Sequence, residues 1–175
     1  LSENIFSVTA AAVLAVLYAK GFRFSNLAYF FAWSWIVLHT VGGHYTFERV
    51  PFDWITDSFG FRRNHFDRVC HFLVGTFAFI VLEMIERSRL IRNRGFMVFA
   101  VIMGVFGFSA IFEIIEWLYA EFSDPTAGAA FLGSQGDVWD AQKDMLADGL
   151  GAIFASIIYL IVNRKKHPIP IEFPG

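Results

Sequence analysis

Charged residues are scarce in this sequence: they make up 17% of its 175 residues, and the formal net charge is −2. This balance excludes the basic surface that nucleic-acid-binding proteins present, so nucleic acid is not an expected partner. The single cysteine, Cys70, excludes an internal disulfide bond. Zinc-protease, P-loop, dinucleotide-binding and Ser-His-Asp signatures are also missing, as are internal repeats. No familiar motif therefore assigns a reaction.

Apolar residues dominate what is present. They form 56% of the chain, with 22 phenylalanines and five tryptophans, and the mean hydropathy is +0.52. The few charges stand between long apolar runs, which is typical of polytopic α-helical membrane proteins. We therefore expect an all-α membrane helical bundle that forms a single domain over residues 1–175, with the lipid bilayer as its surroundings.

Five segments are expected to cross the membrane. They are residues 5–19, 27–41, 66–85, 95–119 and 138–162. The paired glycines Gly42 and Gly43 are expected to end the second span. Residues 44–64 are expected to form an interfacial loop, with or without a short helix. The chain starts at Leu1 and not at methionine; if another span precedes Leu1, the full-length protein has six spans.

The distribution of basic residues predicts the orientation in the membrane. Nine lysines and arginines lie on the side of the C-terminus and five on the other side. The positive-inside rule then places the C-terminus in the cytoplasm. Most ionisable residues near the spans lie toward the opposite, extracytoplasmic side, with Glu83 and Glu86 as exceptions. They are Glu3, His39, His44, Asp67, His71, Glu113, Glu116, Asp137, Asp140, Asp144 and Asp148. This clustering predicts one polar cavity open to the outside.

Four aspartates in the last span give the strongest signal. Asp137, Asp140, Asp144 and Asp148 fall near 0°, 300°, 340° and 20° on a helical wheel, which is roughly one stripe. Acidic residues suit the start of a helix, and this explains Asp137 and Asp140. It does not explain Asp144 and Asp148, which lie two to three turns further in. Burying these charges requires a metal ion, protonation or a basic side chain.

Other residues could complete a metal site. Asp67 and His71 share a helix face. Gly75 extends this face and is expected to let another helix approach. Carboxylate with imidazole suits Zn, Mn or Fe. The alternative is an intrahelical pair that satisfies itself. His39 is a further candidate ligand. A buried network between the aspartates and Arg62, Arg63 or Arg68 competes with the metal hypothesis.

Several stretches carry a resemblance to a known family. They are His39 to Tyr45, Arg63 to Gly75, Phe112 to Trp117, and Gly133 to Ala152 with its sequence GSQGDVWDAQKDMLADGLGA. On these stretches the chain resembles the YjdF-like family of bacterial inner-membrane proteins, which is classed as a domain of unknown function. The resemblance implies an α-helical protein of the bacterial inner membrane with these polar residues as its hallmark. It also implies a further N-terminal span, and it brings no established activity.

Three functions remain open. The first is a metal-dependent hydrolase or transferase acting on a lipid-linked or phosphorylated substrate. In this hypothesis Asp67, His71 and the aspartate stripe hold a divalent ion (Zn, Mn, Mg or Fe), Glu113 or Glu116 is the general base, and His44 or Arg68 binds an anionic group. The second is a cation- or proton-coupled transporter. The third is a non-catalytic subunit of a larger membrane complex with partner subunits.

Overall fold

The structure is a computed structural model that describes residues 4–132 and 134–164. These residues form eight helices and no strand, which confirms the all-α expectation. The helices are α1 (Ile5–Ala19), α2 (Asn26–Tyr45), α3 (Asp53–Phe59), α4 (Phe66–Gly75), α5 (Ala78–Ser88), α6 (Arg94–Phe122), α7 (Pro125–Leu132) and α8 (Asp140–Val162).

Among the described residues, three stretches are long and apolar enough to cross a membrane. They are Phe66–Ser88, which contains α4 and α5, then Arg94–Phe122 and Asp140–Val162. The helix Ile5–Ala19 is apolar but shorter, and α2 coincides with the remaining expected span. Large apolar side chains of α6, such as Phe99 and Ile111, are exposed. A helix of this composition is stable with exposed apolar side chains when lipid surrounds it.

The paired glycines do not end α2, contrary to the sequence-based expectation. The helix continues to Tyr45 and ends at Thr46, which has a left-handed backbone with φ of 59°. The backbone N–H of Phe47 then donates to the Gly42 carbonyl at 2.8 Å. A side chain at Gly42 would overlap the Phe47 ring. Gly42 therefore does not end α2. Its lack of a side chain lets the Phe47 ring pack against the helix where the chain turns back.

Two other expected boundaries also differ. α8 begins at Asp140 and not at residue 138, so Asp137 lies in the turn before the helix. The third expected span is interrupted between Gly75 and Ala78, where the Thr76 hydroxyl donates to the Leu73 carbonyl at 2.6 Å. The predicted interfacial loop does contain a short helix, α3.

Close contact between α4 and α8 positions the polar residues of both helices. A methyl group at Gly75 would overlap the backbone of Asp148, and one at Gly151 would overlap the Phe72 carbonyl. Glycine at both positions lets the two backbones approach to a distance that larger residues would prevent. The expectation that Gly75 admits another helix is thus confirmed, and that helix is α8.

The apolar core continues along the same face of α8 from Asp148 toward the C-terminal end of the helix, through Ala152, Ala155 and Tyr159. It is built mainly from α2, α5 and α8, with Phe31, Phe79, Leu82 and Tyr159 among its buried side chains. The ring centroids of Phe79 and Tyr159 are 5.4 Å apart in an edge-to-face arrangement, which adds to the burial of apolar area. This core fixes α8 against α5 and so fixes the direction of its aspartate face.

The two acidic residues that stood apart in the sequence have structural partners. Glu83 is buried, accepts a hydrogen bond from the backbone N–H of Ser25 at 3.1 Å, and pairs with Arg87 at 3.2 Å. Glu86 pairs with Arg94 at 3.5 Å, and Arg94 also donates to the Asn163 carbonyl at 2.9 Å. These bonds tie the ends of α2, α5, α6 and α8 together.

Candidate functional site

Three aspartates of α8 form its buried polar face. Asp140, Asp144 and Asp148 are spaced by four residues, so they stack along one side of the helix. Their exposed fractions are 8%, 3% and 2%. They face α4, which the glycine contacts hold against α8. Three of the four aspartates of the expected stripe therefore share one face that is buried between helices, and Asp137 lies in the turn before α8.

Arginines neutralise the outer part of this stripe. Both Arg63 and Arg68 form ion pairs with Asp140, and Arg68 forms a second ion pair with Asp144. Since each guanidinium carries several N–H donors in one plane, a single arginine can bridge two carboxylates. The arginine network that the sequence left as an alternative thus accounts for the charge of Asp140.

Asp137 lies at the edge of this network. It accepts a hydrogen bond from Lys143 at 2.6 Å and one from the backbone N–H of Trp139 at 3.1 Å. Its carboxylate is also 3.6 Å from both Arg63 and Arg68. The hydrogen bond from Lys143, followed by that from Trp139, holds the pKa of Asp137 below its ordinary value.

A reciprocal pair of amides joins the turn before α8 to the segment before α4. The backbone N–H of Asn64 donates to the Gln135 side chain at 2.9 Å, and the Gln135 amide donates back to the Asn64 carbonyl at 3.1 Å. The Asn64 side chain donates to the carbonyls of Glu48 and Val50 and accepts from the N–H of Phe66 at the start of α4. This clamp holds Arg63 beside Asp140.

His65 lies next to these cations. Burial, followed by the positive charges of Arg63, Arg68 and Lys143, lowers the pKa of His65 below its ordinary value, although the charge of Asp137 opposes this. Its ring packs edge to face on Phe61, with the centroids 4.5 Å apart. His65 is therefore a neutral side chain in this environment at neutral pH.

The inner part of the site is built around His71. Its Nδ1 lies 3.1 Å from a carboxylate oxygen of Asp148, and the same oxygen accepts a hydrogen bond from the Ser109 hydroxyl of α6. Its Nε2 lies 3.7 Å from Asp67 and 3.7 Å from Asp144. One atom from each of Asp67, His71 and Asp144 falls within 4.8 Å of the others. These three side chains could hold one metal ion.

A cavity of about 680 Å³ adjoins this inner site. Asp67, His71, Asp148 and Glu116 line one end of it, and mostly apolar side chains of α1, α2, α4, α5 and α6 line the rest. The volume falls within the range of small-molecule binding sites, which is about 300–1,000 Å³. The sequence predicted a polar cavity open to the outside. The cavity differs from this expectation because most of its wall is apolar. Of the ionisable residues in the prediction, those that line it are His39, Asp67, His71, Glu116 and Asp148.

Four cavity-lining residues carry a buried polar atom that has no hydrogen-bond partner within the described residues. They are Trp35 (Nε1), His39 (Nδ1), Thr46 (Oγ1) and Asp148 (Oδ1). A buried polar atom without a partner costs about 1–3 kcal/mol, so native proteins rarely keep several together. A ligand with polar groups in this cavity would supply partners for these four atoms.

The remaining candidates are distributed unevenly. His39 is buried and lines the cavity, with its ring 4.6 Å from that of Trp35. Glu116 lines the cavity, while Glu113 lies one turn earlier on α6 with a buried carboxylate oxygen. His44 is exposed at the end of α2, and its ring contacts Tyr45. Glu3, Lys165 and Lys166 lie outside the described residues.

Sequence reasoning missed two parts of the site. Ser109 stands in a long apolar helix, where a single serine gives no signal of its own. The Asn64–Gln135 clamp joins two loops that are 71 residues apart. Asn64 and Gln135 fall within the stretches that carried the family resemblance, and this was the one available hint. Ser109 lies outside those stretches.

Comparison with known proteins places the chain in a family. Residues 1–165 match the family described as "Predicted membrane protein (DUF2238)". The chain belongs to this family. Within it, the chain is similar to "Inner membrane protein YjdF" of Escherichia coli (strain K12), with 33% identity over 144 residues, which is 81% of this chain and 68% of that protein. No solved structure matches. The DUF2238 assignment and the apolar helices establish a membrane protein.

Proposed function

We propose that Asp67, His71 and Asp144 bind a divalent cation. The observation that carries this proposal is the orientation of His71. Its Nε2 faces the two carboxylates, while its Nδ1 lies within hydrogen-bond distance of Asp148. Metal-binding histidines commonly donate their second ring N–H to a carboxylate in this way, which fixes the tautomer and leaves the other nitrogen free for the metal. An intrahelical Asp67–His71 pair alone would not require Asp148.

The composition of this ligand set favours particular metals. Two carboxylates and one imidazole suit Zn, Mn or Fe, and Mg remains possible because carboxylates dominate. Three protein ligands leave coordination positions for a substrate or water, as in catalytic sites. Asp148 and Ser109 support His71. Asp137 and Asp140 contribute through the arginine network that holds Arg68 beside Asp144, and His39 completes the polar end of the cavity.

The reaction class that fits this site best is hydrolysis or group transfer on a lipid-linked or phosphorylated substrate. A divalent cation supplies positive charge that stabilises negative charge developing on a phosphoryl or carbonyl oxygen. Glu116 is placed at the same end of the cavity, where it can accept a proton from an attacking water or hydroxyl. Glu113 lies on the same helix one turn away and is the second candidate for this role.

Transport and a purely structural role fit the site less well. A transporter needs polar groups along a path through the membrane, whereas the cavity wall is apolar toward Ile85 and Ala100. A structural subunit has no need for unpaired buried polar atoms around a cavity. We place the protein in the bacterial inner membrane with its C-terminus in the cytoplasm, which the excess of basic residues on that side supports.

Direct metal binding tests the proposal. Protein purified in detergent without chelator is titrated with Mn²⁺ and Zn²⁺, and bound metal is measured by mass spectrometry. We expect binding in the wild type and loss in Asp67→Asn and His71→Ala. Asp57→Asn is the control, because this aspartate is exposed in α3, away from the site. Absence of metal from the wild type, or equal binding in all four proteins, would refute the metal site.

A further inference from the structure

We propose that the cavity binds a phosphate-bearing membrane lipid, with a hydrocarbon chain along its apolar wall and the head group at Asp67, His71 and Glu116. The assignment of the head group rests on the cation site proposed above. The assignment of the chain rests on the shape and lining of the cavity alone. Three features of the cavity support this occupant.

The first feature is its length along the bundle. On α6 the lining runs from Ala100 to Glu116, and on α4 and α5 it runs from Asp67 to Ile85. At a rise of 1.5 Å per residue, the α6 lining extends roughly 24 Å. That distance is most of the hydrocarbon thickness of a bilayer, which is about 30 Å. The wall between the two ends consists of side chains such as Val74, Val81, Val101 and Val105.

The second feature is the position of the opening. Phe108 lines the cavity and is 60% exposed, and Gly104, one turn earlier, also lines the cavity and is exposed. Both residues lie near the middle of the membrane-crossing helix Arg94–Phe122. The cavity therefore opens sideways at the depth of the lipid hydrocarbon, and lipid chains are the apolar molecules available there.

The third feature is the separation of polar and apolar groups. Asp67, His71 and Glu116 lie at one end of the cavity, at the end of the spans that leads toward α7 and the turn before α8. An amphiphile has the same division between head and chain. The carboxylates of Asp67, Asp148 and Glu116 would repel a phosphate head group on their own. A cation bound between Asp67 and Asp144 would bridge to phosphate oxygens. The buried unpaired atoms of Trp35, His39 and Thr46 offer this head group further polar partners.

Two glycines of α6 provide a matched test. A side chain built at Gly104 or at Gly107 would meet no atom within 4 Å, so both sites have room for one. Gly104 lines the cavity and Gly107 does not. Phenylalanine at Gly104 would therefore occupy the path of the lipid chain, while phenylalanine at Gly107 would point elsewhere on the same helix. Ala100→Phe blocks the cavity at its far end and serves as a second variant.

The measurement is the amount of phosphorus-containing lipid that remains bound after detergent purification, determined by extraction and mass spectrometry. We expect bound lipid in the wild type and in Gly107→Phe, and a loss of about tenfold in Gly104→Phe and Ala100→Phe, from overpacking of the chain site. Thermal unfolding and Mn²⁺ binding confirm that each variant is folded. A wild type without bound lipid, or equal lipid in all variants, would overturn the proposal.

The outcomes also separate this inference from the metal site. Loss of lipid with retained Mn²⁺ binding in Gly104→Phe supports the chain site, whatever the reaction is. Retained lipid in Asp67→Asn, with metal lost, shows that the chain binds without the cation and overturns the head-group assignment. A bound lipid that lacks phosphate overturns that assignment as well. A protein segment in the cavity, seen as a cross-link from Gly104→Cys to another chain, overturns the lipid proposal entirely.

Discussion

Removal of the Arg68 guanidinium is expected to destabilise the protein by about 3 kcal/mol. Arg68 pairs with Asp140 and Asp144, and its own side chain is 13% exposed. In Arg68→Ala, Asp140 keeps Arg63 as a partner. Asp144, whose side chain is 4% exposed, loses the guanidinium. Breaking a buried ion pair from one side costs about 3–5 kcal/mol, and we take the lower end because only one of the two carboxylates is left without its arginine.

Reversible unfolding in detergent measures this loss. Arg62→Ala is the matched control, since Arg62 is exposed and six residues away on the same segment, and we expect a change within about 0.5 kcal/mol for it. Adding Asp144→Asn to Arg68→Ala removes the stranded charge and should recover about 2 kcal/mol relative to Arg68→Ala. The Asp144→Asn single variant completes the double-mutant cycle, which then gives the coupling energy of the pair. If Arg68→Ala is as stable as Arg62→Ala, the ion pairs are not stabilising and our reading of the network is wrong.

The Arg68→Ala variant also tests whether a metal ion can replace the arginine as the partner of Asp144. In Arg68→Ala, Asp144 depends on an added cation for neutralisation, so Mn²⁺ should raise its stability more than that of the wild type. A cation at 100 times its dissociation constant contributes about 2.7 kcal/mol. Should Mn²⁺ leave the unfolding midpoint of Arg68→Ala unchanged, Asp144 would not be a metal ligand.

Three further predictions concern the frame of the site. Since the folded state lowers the pKa of His65, it binds the proton less well than the unfolded state, so stability should fall as the pH drops below about 6.5, and His65→Gln should reduce this slope in unfolding curves. Gly75→Ala should cost about 1–3 kcal/mol by separating α4 from α8, whereas Gly107→Ala, in open space, should stabilise α6 by about 0.5–1 kcal/mol; equal effects in thermal unfolding would contradict the close contact. Asn64→Ala should cost about 1–2 kcal/mol in the same assay, because two backbone carbonyls and the Phe66 N–H lose their partner; an unchanged midpoint would show that water replaces the Asn64 side chain.

The regular part of the site was predictable from the sequence, because helical spacing is a local property. Asp140, Asp144 and Asp148 share a face at any place in a protein where the segment is helical, and the polar positions in an apolar span indicated that this face is buried. Gly75 lies on the same helix face as Asp67 and His71, and this local spacing predicted that another helix packs closely there. The family resemblance covered the same residues and added the membrane location.

What could not be predicted depends on distances between helices. The sequence offered both arginines and a metal as partners of the aspartates. Only the fold shows that Arg63 and Arg68 pair with Asp140 and that Arg68 also pairs with Asp144. It likewise places His71 beside Asp144 and Asp148. The predicted end of α2 at Gly42 and Gly43 was wrong, because a glycine pair is consistent either with a helix end or with a ring packed on the helix. The cavity arises from residues on α1, α2, α4, α5, α6, α7 and α8 that share no sequence pattern.

The pairing of charged residues between α4 and α8 also has a consequence for biosynthesis. Arg68 and its partner Asp140 are 72 residues apart, so at about 5–20 residues per second the arginine is made roughly 4–14 s before the carboxylate. During that interval α4 carries Asp67, Arg68 and His71 without the charges that later neutralise them. Insertion of α8 is therefore the event that completes the polar site, and it sets when α4 reaches its final depth.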